Sequence, residues 1–222
     1  MSAPVSSQGS GPTPRFITFT GIDAWTSPAN CAAIAAKFPV EFAFLYSDDR
    51  DDPRYTGVPL LHEFQKRRVR TAFHLCGAAA RRAIRENVYP AETLRADRIQ
   101  LNLTDDEYDW DGLEKLARRR PVIRQTRDTK SWPLTPLDVA PLLDASGGRG
   151  VPISDFPDAP PAQLVGYAGG LGPDNVADFL DRLPAHPHGF WIDMETGVRT
   201  DDRFDLKKCL EVCRAVFKRD AA

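Results

Sequence analysis

Residues 165–180, VGYAGGLGPDNVADFL, set an apolar run against two adjacent glycines, Gly169 and Gly170, and then open a helical pattern. Backbone amides left unpaired at a helix start, together with the helix macrodipole, form a natural anion site. Glycines let the chain come close to a phosphate, although a turn that needs a flexible backbone accounts for them equally well. Acidic runs offer a second chemistry: SDDRDD (47–52) and TDDEYDWD (104–111) are oxygen-rich stretches that suit Mg2+ or Ca2+, and equally the solvated loops that such runs usually form. His186 and His188 read as a surface loop, and Cys209 and Cys213, four apart, as packing residues on one helix face. With Cys31 and Cys76 they make four cysteines, which suggest neither a disulfide framework nor a metal cluster.

Short apolar segments alternate with helical patterns along the whole chain. Strands are expected at 16–21, 40–47, 70–76, 98–103, 121–126, 139–146, 164–170 and 189–195. Helical patterns follow most of them, from SPANCAAIAAKF, with Pro28 placed for a helix start, to the closing amphipathic FDLKKCLEVCRAVFKR. Alternation of this kind implies a parallel sheet with right-handed crossovers, and eight units in one α/β domain point to a (β/α)8 TIM barrel. The expected division is a disordered tail over 1–15 and a single barrel domain over 16–222. Two units look incomplete. About a dozen residues separate the fifth and sixth strands, and GGRGVPISDFPDAPPAQ, between the sixth and seventh, has no helical period. Outer helices there should be short or missing, and the thin ring near strands 5 and 6 is the face through which a homodimer would form.

In such barrels the site lies at the C-terminal ends of the strands, and the loops after strands 7 and 8 often bind phosphate. AGGLGPDN follows strand 7, and DMETGVRTDDRF follows strand 8 with Glu195, Thr196 and Gly197 in reach of the same pocket. The expected phosphate-binding set is Gly169, Gly170, Leu171, Glu195, Thr196 and Gly197, and the expected ligand a phosphorylated small molecule. No cofactor is implied.

The last two units resemble those of the phosphoribosylanthranilate isomerase family, in which a strand ends in Ala-Gly-Gly-Leu, Pro-Glu-Asn-Val follows, and the next strand ends in Asp with Ser-Gly-Val behind it. Four further stretches are similar: LLDASGGRG (142–150), DDPRY (51–55), IQLN (99–102) and TFTGID (18–23). The resemblance spans 16 to about 216, with specific motifs in the last third. It implies a TIM barrel and the Amadori rearrangement of tryptophan biosynthesis, an isomerase reaction on a phosphorylated aminosugar. An acid protonates the ring oxygen so that the sugar opens, and a base removes the proton from C2. By this resemblance Asp144 is the acid, while Arg54, Asn102, Arg124 and Gly148 lie where the family binds substrate. Without it, Asp144 reads as a residue bonded to the backbone of its own glycine-rich loop.

The base position departs from the family. A cysteine on the first strand is replaced by Thr20, whose hydroxyl is far less acidic than a thiol with its pKa near 8.5, so Thr20 offers hydrogen bonding rather than proton abstraction. Cys76, at the end of strand 3, and the nearby Asp23 are the groups that would have to stand in. Asn102 replaces the family's histidine, and Arg124 stands where it has lysine. Isomerase activity is therefore in doubt. Two alternatives stay open: a barrel that binds a phosphorylated ligand without catalysis, and a metal-dependent phosphosugar enzyme using the acidic loops after strands 2 and 4.

The 222 residues are 42% hydrophobic, ample for a core, and 29 basic against 31 acidic residues leave a net charge of −2. That balance argues against duplex nucleic acid as a partner. No apolar stretch approaches the roughly 18 residues of a membrane span, and MSAPVSSQGSGPTP lacks the apolar centre of a signal peptide. The expected compartment is the cytoplasm.

Overall fold

Eight parallel strands close into a barrel in which each is hydrogen-bonded to the next and the eighth returns to the first. The computed structural model describes residues 11–48, 54–55, 58–127, 139–145, 147, 149–151, 153, 156 and 163–217. The strands are β1 (Ile17–Thr20), β2 (Val40–Tyr46), β3 (Thr71–Cys76), β4 (Arg98–Asn102), β5 (Val122–Thr126), β6 (Val139–Leu143), β7 (Val165–Tyr167) and β8 (Phe190–Met194). All eight lie inside the segments expected from the sequence, each shortened at one or both ends, where the chain leaves the ladder to turn. The architecture is the (β/α)8 TIM barrel.

Helices α1 (Pro28–Ala35), α2 (Val58–Lys66), α3 (Ala78–Arg85) and α4 (Trp110–Ala117) follow β1 to β4. Local chemistry sets their starts. Ser27 accepts from the Asn30 amide with Pro28 in the first turn of α1, and Asp109 accepts from the Asp111 and Gly112 amides at α4. Among the described residues no helix follows β5 or β6, whereas α5 (Val176–Arg182) and α6 (Leu206–Phe217) follow β7 and β8. A two-stranded hairpin, β9 (Arg199–Thr200) and β10 (Arg203–Phe204), precedes α6. No described helix is long and apolar enough to cross a membrane.

Side chains on the outer strand faces meet the helices in one apolar layer, where Phe42 and Phe44 pack edge-on against Phe64 of α2 at 5.7 and 5.2 Å. The inner faces behave differently. Low in the barrel, Phe16 stacks on Trp191 at 6.0 Å, and the Arg98 guanidinium lies over both rings at 4.7 and 4.5 Å. Arg98 also forks onto Glu41, donating from Nη2 to Oε1 at 2.6 Å and from Nε to Oε2 at 3.0 Å, while Arg70 and Thr18 donate to the same carboxylate. Burial alone would raise the Glu41 pKa; the charges of Arg98 and then Arg70 more than offset it and hold the carboxyl below its usual range. This plug closes the lower barrel and leaves the upper end open.

Candidate active site

A cavity of about 270 Å3 opens among the C-terminal ends of the strands. Inward positions alternate along each strand, so Thr20 of β1, His74 and Cys76 of β3, Gln100 and Asn102 of β4, and Gln125 of β5 all face it. Asp144 follows β6 directly, Gly169 and Gly170 follow β7, and Asp193, Glu195 and Thr196 complete the wall from β8 and its loop.

One side of the wall is a chain of neutral polar groups. Gln100 Nε2 donates to Asn102 Oδ1 at 2.9 Å, Asn102 Nδ2 donates to Cys76 Sγ at 3.4 Å, and the thiol points to the His74 carbonyl at 3.8 Å. Burial, with the charge of Glu195 adding to it, pushes the Cys76 thiol up to about 11. Burial likewise lowers His74 to about 3, so its ring is neutral. His74 Nε2 and Gln100 Oε1 are buried with no hydrogen-bond partner among the described residues. Buried polar atoms of this kind seldom go unpaired, and a ligand in the cavity is the natural complement.

The carboxylates stand on the other side. Asp144, almost wholly buried, accepts from Gln125 Nε2 at 3.1 Å, and its backbone carbonyl accepts from the Gly147 amide. Asp193 accepts from Thr20 Oγ1 at 2.6 Å. Burial raises its pKa to about 7, the charges of Glu195 and Glu41 push the same way, and the Thr20 hydroxyl only partly offsets them. Glu195 is tied to Arg54, whose guanidinium reaches it at 3.1 Å from the rim.

The loops after β7 and β8 interlock. Gly169 and Gly170 have φ of 121° and 59°, a region that side chains other than glycine seldom adopt, which explains the pair independently of any ligand. Asn175 folds the turn, donating to the Gly170 carbonyl at 2.8 Å and accepting from the Gly172 amide at 2.9 Å. Gly197 is required by close approach: a Cβ there would lie 2.0 Å from the Leu171 carbonyl oxygen. Among the described residues the amides of Gly170, Leu171 and Gly197 enter no hydrogen bond. Helix α5 begins at Val176, five residues beyond Leu171, so its dipole does not abut the glycines.

Of the residues expected from the sequence, Thr20, Asn102, Asp144, Gly169, Gly170, Glu195 and Thr196 come together at the cavity, while Leu171 and Gly197 pack behind its wall and Arg54 sits above Glu195. Arg124 does not join them. It is on the outer face of β5, paired with Asp105 at 2.7 Å and covered by the rings of Tyr108 and Trp110 at 4.9 and 5.1 Å. Gly148, Asp51 and Asp52 lie outside the described residues, as do most of the loops after β5 and β6 on which a dimer face was expected. Asp23 does not line the cavity; its carboxylate accepts from Trp25, Thr26 and Phe204 and meets Arg199, tying the loop after β1 to the hairpin. Sequence reasoning missed Asp193, Gln100, Gln125 and Arg127; the structure also brings His74 to the cavity. Arg127 lines the mouth with its guanidinium beside Gly147, and it makes no side-chain hydrogen bond or ion pair among the described residues.

The acidic stretch after β4 is spent on local structure. Asp105 pairs with Arg124 and accepts from the Arg127 amide, Glu107 pairs with Arg81 and closes a capping box with Thr104, and Asp109 caps α4. Among the described residues no group of three or more His, Cys, Asp or Glu side chains is arranged to hold a metal ion.

No family model matches the chain, and no curated protein sequence does. Solved structures do match in fold. A phosphoribosyl anthranilate isomerase from Thermus thermophilus superposes with a TM-score of 0.59 at 19% identity, over 92% of this chain and 98% of that one. An N-(5'-phosphoribosyl)anthranilate isomerase from Pyrococcus furiosus gives 0.54 at 15% identity, over 90% and 98%. At these identities the likeness is one of fold: the chain is a TIM barrel similar in fold to these isomerases.

Proposed function

We propose that this chain binds a phosphorylated aminosugar at the C-terminal end of the barrel and isomerises it by an Amadori-type rearrangement. The observation that carries this reading is the shared cavity: Asp144 stands on one wall of the space that Gly169, Gly170 and Thr196 border from the β7 and β8 loops. Asp144, oriented by the Gln125 amide, protonates the ring oxygen as the sugar opens. The phosphate sits against the unused amides around Gly170. Positive charge at the mouth comes from Arg127, and Arg54 balances the Glu195 carboxylate that would otherwise oppose an anion. His74 Nε2 and Gln100 Oε1 are partners for sugar hydroxyls at the cavity floor. The solved neighbours are named as isomerases of this class, which supports the same substrate type.

A barrel that binds without turnover is the second reading, favoured by the missing first-strand thiol at Thr20. Titration with ribose 5-phosphate and with ribose tests the part common to both. The phosphorylated sugar should bind at least about tenfold tighter, the worth of a single charge-assisted hydrogen bond of about 1.5 kcal/mol or more. Equal affinities, or no binding of either, would contradict phosphate recognition.

A further inference from the structure

Isomerisation needs a second proton-transfer group beside Asp144, and the identity of that group has meaning only if the isomerase reading holds. Three other groups do not serve. The Cys76 thiol is hydrogen-bonded within the polar chain and stays protonated near neutrality. Asp23 lies behind the wall with its oxygens engaged by Thr26, Trp25, Phe204 and Arg199. Thr20 spends its hydroxyl proton on Asp193.

Asp193 remains. It faces inward from β8, the strand next to β1 in the ring, with Thr18 as its register partner and Thr20 one inward position further along. It is 4% exposed, and that exposure is to the cavity that Asp144 also lines. Among the described residues Thr20 is its one side-chain hydrogen-bond partner, and no lysine or arginine pairs with it. A carboxylate desolvated in this way, held by a single hydroxyl, has lone pairs to offer a ligand. From these contacts we infer that Asp193, positioned by Thr20, is the base that takes the proton from C2 of the ring-opened aminosugar, the role the strand-1 thiol would otherwise fill.

The proton balance closes within the two carboxyl groups. Asp144 gives its proton to the ring oxygen as the C1–O bond breaks and the nitrogen lone pair forms the C1=N bond. Asp193 takes the C2 proton; the C–H pair becomes the C1=C2 bond, and the C1=N π pair returns to nitrogen. Asp193 then returns its proton to C1 while the O2 hydroxyl proton passes to Asp144, leaving the ketoamine and restoring both groups. Four groups tune the base: Thr20 from β1, Glu41 from β2, Arg98 from β4 and Glu195 from the loop that continues its own strand. His74, from β3, is neutral.

The test is turnover of phosphoribosylanthranilate against pH by the full chain and three variants. Asp193→Asn should lower kcat by about 10²–10⁴-fold and leave ribose 5-phosphate affinity within about threefold. Wild-type kcat/KM should fall on the acid side of about pH 7, the value to which Asp193 is raised. Thr20→Val should move that limb to higher pH by removing a donor to the carboxylate, and Thr20→Ser should restore it, a response a merely structural threonine would not give. Asp193→Asn within tenfold of wild type overturns the assignment and leaves the isomerase reading standing. If that variant does not fold, an acid limb that stays in place in Thr20→Val overturns it equally. No turnover by the wild-type chain overturns both.

Discussion

Asp193 has a consequence for stability as well as for chemistry. Its folded-state pKa, raised from 3.8 to about 7, means that the folded protein holds the proton more tightly than the unfolded chain. The associated stability is complete below about pH 4 and is lost as pH rises through 7. The loss is about 1.4 kcal/mol for each unit separating the two values, so a few kcal/mol in all. Asp193→Asn removes the charge while still accepting from Thr20. Its melting temperature should exceed that of wild type at pH 8.5 by several degrees, at about 2–4 °C per kcal/mol for a chain of this size. The advantage should shrink toward pH 5. An offset that does not change with pH would show that the Asp193 pKa is not raised in the folded protein. A residue that costs stability where the enzyme would work is better explained by its chemistry than by its packing.

At the scale of elements, the loops after β7 and β8 hold each other in place. The amides proposed to hold phosphate are fixed only while the Gly197 backbone stays against Leu171, where a Cβ would meet a carbonyl oxygen at 2.0 Å. Gly197→Ala must part the two loops. Overpacking of this sort costs about 1–3 kcal/mol, and ribose 5-phosphate affinity should fall about tenfold or more while ribose affinity, if measurable, changes little. Unchanged phosphate affinity would place the anion elsewhere. The strands themselves were legible in the sequence because each is a short apolar or β-branched run flanked by turn residues and a helical pattern. Which side chains face inward was not. Parallel strands are buried on both faces, so the alternation that would mark orientation is lost, and Arg124 and Gln125 could be exchanged by one residue of phase. A signal existed in the isolated charges within apolar strands: Glu41 in VEFAFLY and Asp193 in FWIDM both point into the barrel. The Gly169–Gly170 pair was legible as a turn, yet the helix expected to point at the anion starts too late to do so.

The whole molecule divides into a lower half that closes the barrel and an upper half that carries the site. Below, Glu41, Arg98 and Arg70 bury charge against Phe16 and Trp191; removing one partner of such a pair typically costs about 3–5 kcal/mol. Above, carboxylates, amides and the Arg127 guanidinium surround an open cavity, the place where barrels of this fold carry their sites. Isomerisation by this chain is tested by conversion of phosphoribosylanthranilate by the purified protein at pH 7–8, alongside Asp144→Asn. The wild-type chain should convert the substrate, and Asp144→Asn should lose about 10²–10⁴-fold in kcat with ribose 5-phosphate still bound. Turnover that survives in Asp144→Asn, or its absence from the wild-type chain under conditions where a known isomerase of this class is active, would contradict it.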